Sequence, residues 1–126
     1  MKSVTLKVNG VEYLINTPTV GQYMTIESNK ISLSKGEYGG LCATATASAA
    51  ITLDLIDMVA VLTVMCPDLV SSIKTENILS INIADVKTLM ESYNRDVKEF
   101  ADKWIFEFRK AVDADKSGST NNSTTK

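Results

Sequence analysis

The chain is expected to adopt an α+β, mostly α fold: an N-terminal β-hairpin packed on a small bundle of helices, with a long C-terminal helix. Three observations carry this expectation. Val4, Leu6 and Val8 alternate with polar residues, and Val11, Tyr13 and Ile15 repeat the alternation after Asn9-Gly10. The segment Thr17-Pro-Thr-Val-Gly-Gln22 then has the form of a helix start. From Ile83 to about Val112 there is neither Pro nor Gly, and apolar residues recur every three or four positions.

Asn-Gly tolerates the positive φ angles of a type I′ turn, whose twist matches the strands it joins, so a hairpin is expected over residues 3–16. A lone hairpin is marginal in water, and its apolar face must be covered by the helices downstream. Pro18 pushes Thr17 away from the helical region, and Thr19 followed by Gln22 has capping-box spacing. A helix is therefore expected from Val20 to about Lys30, with Val20, Tyr23, Met24, Ile26 and Ile31 as its apolar stripe. Gly21 weakens its first turn by about 1 kcal/mol relative to Ala.

The run Ser34-Lys-Gly-Glu-Tyr-Gly-Gly40 reads as an exposed loop. It matches no phosphate-binding fingerprint and is taken as a connector. Residues 41–50 are nearly all small, which suits either a tight packing seam or a mobile linker. A helix over about 42–66 follows, apolar around most of its circumference and therefore central to the core. With Asp54 and Asp57 in it and Pro67 after it, its apolar stretch falls short of the roughly 20 residues that span a bilayer. The two carboxylates are expected to sit in the first turns as dipole-stabilised caps rather than as acid/base or metal-binding groups.

Pro67 to Ile73 reads as a short helical turn, residues 76–80 as another, and Asn82 as the cap of the last helix, with Asp85 at its third position. That helix, expected over 83–112, would be about 45 Å long. It holds the only Trp and two of the three Phe. Tyr93, Val97, Phe100, Trp104 and Phe108 form its main stripe, the candidate core or protein-binding face. Phe106 and Phe108 are two residues apart and cannot share a face. From residue 115 the composition is Asp, Lys, Ser, Gly, Thr and Asn, and a disordered polar tail over 115–126 is expected after a single globular domain over 1–114. The sequons at Asn121 and Asn122 are read as chance matches, since Met-Lys-Ser-Val-Thr-Leu-Lys lacks the apolar core of a signal peptide.

Among 126 residues the net charge is -2 and Lys and Arg are not clustered, so nucleic acid is not an expected partner. Cys42 and Cys66 fit no metal-ligand spacing and are read as reduced, buried thiols. The absence of histidine removes the commonest general base and the Ser-His and Cys-His pairs, and no convergent catalytic set can be nominated. No enzyme activity, cofactor, metal or membrane partner is expected.

The segments Val8-Asn-Gly-Val-Glu-Tyr13, Thr17-Pro-Thr-Val-Gly-Gln-Tyr23, Lys35-Gly-Glu-Tyr-Gly39 and Cys66-Pro-Asp-Leu69, followed by the Trp-bearing helix, resemble the small tail assembly chaperones of long-tailed bacteriophages. The resemblance spans about residues 4 to 112 and rests on short, non-catalytic motifs. It implies a protein of the infected host cell cytoplasm that binds the tape measure protein, and tail tube subunits with it, and stays out of the virion. It also implies that a longer, frameshifted product can exist, for which the segment from Ser117 is a reasonable junction. Self-association is compatible with it. The alternative is a small structural virion protein, a tail or head-tail connector component using the hairpin edge. A third reading is an unrelated interaction module binding through its helical face.

Overall fold

The computed structural model describes residues 3–72 and 81–124, with side chains to residue 113. It has the expected α+β, mostly α architecture. Strands β1 (Ser3–Val8) and β2 (Val11–Asn16) are followed by α1 (Val20–Leu33), α2 (Tyr38–Ala43), α3 (Ala47–Met65), α4 (Pro67–Ser72), α5 (Ile83–Asp96) and α6 (Lys98–Thr124).

The strands pair antiparallel with Val8 opposite Val11 and Leu6 opposite Tyr13. Asn9 (φ 51°) and Gly10 (φ 80°) supply the two left-handed positions of the turn. Leu6, Val8 and Ile15 are buried on one face, Val4 and Tyr13 are half-buried beside them, and Leu14 points away on the other.

The outer edge of β1 is closed by α5. The Lys7 amide donates to Asp96 Oδ2 (2.9 Å), and Arg95 Nη2 donates to the Lys7 carbonyl (3.1 Å). Arg95 also grips Asp96 through Nε (2.8 Å) and Nη2 (2.7 Å). A forked guanidinium and a carboxylate therefore satisfy the backbone groups that an edge strand would offer to another strand.

α1 begins at the expected capping box, with the Gln22 amide donating to Thr19 Oγ1 (3.1 Å) and the Thr19 amide to Gln22 Oε1 (2.9 Å). It runs to Leu33, one turn beyond the expected end, where Lys35 (φ 54°) and Gly36 (φ 82°) reverse the chain. The expected glycine loop is shorter than residues 34–40, because Gly39 and Gly40 belong to the short helix α2. The expected single helix over 42–66 is two helices separated by residues 44–46. Thr46 starts the second by accepting the Ala49 amide at 3.1 Å; this cap is hidden in a run of small residues that all resemble one another in size.

α3 is the centre of the core. Met58, Val59, Ala60, Val61 and Leu62 are all buried, and α1, α2, α4 and α5 pack on this helix. Contrary to the expectation that its apolar stretch falls short, α3 is long and apolar enough to cross a membrane by length and composition, because the small residues from Ala47 lengthen it; here its C-terminal half is enclosed by other elements. Cys66 is free and buried as expected, and burial pushes its thiol pKa up. Cys42 is free but exposed, because α2 lies on the surface and buries none of its residues.

The helix expected over 76–80 lies outside the described residues. α5 starts at Asn82, whose Oδ1 accepts the Asp85 amide at 3.1 Å. The expected continuous helix over 83–112 is broken at Val97 (φ -121°, ψ -35°). No Pro or Gly marks the break; Arg95 and Asp96 are tied to β1 while Val97 is buried immediately after them, so tertiary contacts rather than a helix breaker accompany it. The backbone of α6 continues through Thr124, past Gly118 and into the segment whose composition suggested a disordered tail.

The Lys7 amide and the Arg95 guanidinium hold the Asp96 carboxyl down to a pKa of about 2, against an ordinary 3.8. A depressed carboxyl contributes stability above its unfolded pKa and loses it as pH falls through the folded one. Asp96→Asn should therefore lower the Tm by a constant amount above pH 5. The gap to the unmodified chain should close between about pH 4 and pH 2, as followed by circular dichroism melts.

Candidate protein-binding site

The stripe Tyr93, Val97, Phe100, Trp104 and Phe108 divides along its length. Tyr93, Val97 and Trp104 are core residues, Phe100 packs half-buried against the same cluster, and Phe108 is 41% exposed. The Tyr23 side chain of α1 holds the last two rings, with centroids 6.4 Å from Trp104 in a T-shaped contact and 4.9 Å from Phe108. Burial also raises the Tyr93 phenol pKa. Phe106 lies off the stripe and is 65% exposed.

The expected apolar stripe of α1 is buried only in part, at Ile26 and, half-buried, at Tyr23. Ile26 and Lys30 are buried, whereas Val20, Met24 and Ile31 are 65%, 64% and 59% exposed. Lys30 is drawn inward by anions: its Nζ lies 2.8 Å from Glu27 Oε2, 3.9 Å from Asp57 Oδ1, and 5.7 Å from the centre of the Tyr38 ring. Tyr38 donates to Asp57 Oδ1 at 2.7 Å, which fixes α2 to α3. Arg109 Nη2 sits 3.6 Å from Glu27 Oε1, tying α6 to α1. Desolvation and the neighbouring Asp57 carboxylate raise the Tyr38 phenol pKa. Burial raises the Asp57 pKa, against the opposing pull of Tyr38 and Lys30.

Asp54 and Asp57 are not first-turn caps, since α3 begins at Ala47 and both lie beyond its second turn. Cations on other helices accompany them instead: Asp57 faces Lys30, and Asp54 Oδ1 faces Lys98 Nζ at 3.7 Å. Their distribution suits a seam between helices. Among the described residues no group of three or more His, Cys, Asp or Glu is placed to hold a metal ion.

What remains for recognition is apolar surface. Phe106, Phe108 and Val112 expose a mixed aromatic and aliphatic surface on the distal half of α6, and every residue from Phe106 to Asp113 is exposed. An apolar pocket of about 220 Å³ opens between α1, α3 and α5, lined by Leu33, Leu55, Ile56, Val59, Ile83 and Val86. The sequence pattern points to Phe108 but not to Lys30, Glu27 or the exposed side of α1. A signal was present: Lys30 falls four residues after Ile26 and three after Glu27, on the inner face with an acid beside it.

The chain matches no family model, no curated protein and no solved structure.

The two halves of the stripe should respond differently to truncation. Trp104→Ala should destabilise the fold by about 3 to 5 kcal/mol, as large core deletions do. Phe106→Ala should stay within about 0.5 kcal/mol of the unmodified chain, as exposed substitutions do. Urea unfolding followed by circular dichroism measures both.

Proposed function

We propose that this chain is a tail assembly chaperone of a long-tailed bacteriophage, acting without catalysis in the host cell cytoplasm. It binds the tape measure protein, assists assembly of the tail tube, and does not enter the virion. The observation that carries the reading is the distal half of α6, where Phe108 and Val112 stand exposed one helical turn apart beyond the enclosed core. A tape measure protein is a long amphipathic helical chain whose apolar stripes are uncovered until tube subunits surround them, and such stripes aggregate when left bare. An exposed aromatic and aliphatic helix face shields them by helix-to-helix packing and releases them when a larger surface arrives. The motif resemblance in the sequence supports the same reading.

The second reading is a small structural virion protein that uses the hairpin for tube or ring contacts. It is favoured by the exposure of Val11 and Leu14, 50% and 62%, on β2. It is weakened by the Arg95–Asp96 pair on the outer edge of β1, which occupies the backbone groups of Lys7. Quantitative mass spectrometry of infected-cell lysate and purified particles separates the two: presence in lysate with absence from particles is expected, and stoichiometric presence in particles would overturn the chaperone reading.

The client face has its own test. Phe108→Asp combined with Val112→Asp should leave the circular dichroism spectrum unchanged. The pair should also abolish the ability of the chain to keep a co-expressed tape measure protein soluble, scored as the soluble fraction after centrifugation.

A further inference from the structure

We infer that the outer face of α1 is the surface on which two copies of this chain associate, packing α1 against its counterpart across a twofold axis. Charge gives the first argument. A surface helix ordinarily presents its charged side chains to water and its apolar stripe to the core. In α1 both charged residues, Glu27 and Lys30, are turned toward the neighbouring helices, Lys30 with a side chain only 5% exposed. The positions left outside, Val20, Gly21, Met24, Thr25, Ser28, Ile31 and Ser32, carry no charge. Such a face has nothing to attract an acidic or basic partner. It also has no like charges to repel a second copy of itself, and a whole chain of net charge -2 adds little repulsion.

Shape gives the second argument. At 100° per residue, Val20, Met24 and Ile31 fall within about 40° of one another, forming a ridge beside a column of the small residues Gly21, Thr25, Ser28 and Ser32. Ridge beside groove is what a helix needs to receive a copy of itself. The Thr25 hydroxyl is already spent on the Gly21 carbonyl at 3.0 Å, so this position dries without stranding a donor. Gly21 adds an independent sign. Its φ is not positive, and a Cβ placed there would meet nothing nearer than Thr19 Oγ1 at 4.0 Å. The monomer therefore gains nothing from a glycine that weakens its own helix, whereas close approach of a second backbone needs one.

A 14-residue helix is about 21 Å long, and α1 alone falls below the roughly 1,200 Å² of total buried area typical of stable pairs. Phe108, in contact with Tyr23 on the flank of the same face, extends it. An interface of this size makes the dimer a weak, reversible one. This inference does not rest on the client reading: its core is α1, and only Phe108 on the flank is shared with the client face.

Sedimentation equilibrium of the full chain, under reducing conditions so that exposed Cys42 cannot cross-link, reads the result directly. Twice the chain mass is expected at the upper end of a range of about 1 to 200 µM. Met24→Glu brings two carboxylates together near the axis and should weaken the dimer at least tenfold, while an equimolar mixture of Met24→Glu and Met24→Lys should pair again. Gly21→Leu, at an exposed position where an added Cβ meets nothing nearer than 4.0 Å, should also block pairing. A chain monomeric throughout the range would overturn the inference, as would a dimer indifferent to Met24→Glu and Gly21→Leu.

Discussion

Burial of residues 58–62 of α3 on every side is the constraint from which the rest of the arrangement follows. Met58 to Leu62 are five consecutive residues, enough to point around the whole circumference of a helix, and each is at most 6% exposed. No single neighbour can cover such a segment. α1, α2, α4 and α5 pack on α3, and the inner face of the hairpin, through Leu6, Val8 and Ile15, belongs to the same cluster. Each fully buried large side chain contributes about 1.5 to 3 kcal/mol, so this enclosure is the main source of stability.

The same enclosure organises the charges. Asp54 and Asp57 stand on a helix that has no cation of its own, so their partners come from elsewhere: Lys98 from α6, Lys30 from α1, and the Tyr38 hydroxyl from α2. Lys30 in turn carries Glu27 with it, and Glu27 meets Arg109 of α6. The exposed Asp54–Lys98 pair is worth little, below about 1 kcal/mol. The buried side is different, because removing Lys30 would strip Asp57 of its paired cation and leave Glu27 with Arg109 alone. Turning these charges inward strips the outer side of α1 of charge, so the unusual surface of that helix follows from how the core helix is neutralised.

Local signals with a stereochemical mechanism were legible in the sequence. Asn9-Gly10 specified the hairpin register, Thr19 with Gln22 placed the start of α1, and Asn82 with Asp85 placed the start of α5, because each depends on atoms within a few residues. The all-round apolar pattern of α3 was legible for the same reason. The break at Val97 was not, since tertiary contacts rather than a helix breaker accompany it. Lys30 was assigned no role because burial of a lysine depends on Asp57 and Tyr38, which reach it only through the fold. The cap at Thr46 was masked by a run of small residues with no periodicity to contrast with it. In the stripe on the last helix, spacing showed which rings share a side but not how far the neighbouring helices extend to cover them.

That reach is short, and it decides how α6 behaves. Beyond Ile105, which packs half-buried on the core, the described contacts of α6 with the body are those of Phe108 with Tyr23 and of Arg109 with Glu27 and Tyr23, none of them deeply buried. An element held by few buried contacts opens at lower free energy than the core to which it is attached. A helix that binds an apolar client gains from this, because the face it offers is not committed to its own fold. Tyr23 ties this loosely held end to α1, touching Trp104 on its buried side and Phe108 on its exposed side. One aromatic side chain of α1 thus stands between the enclosed core and the exposed end of α6, at the edge of both exposed apolar faces.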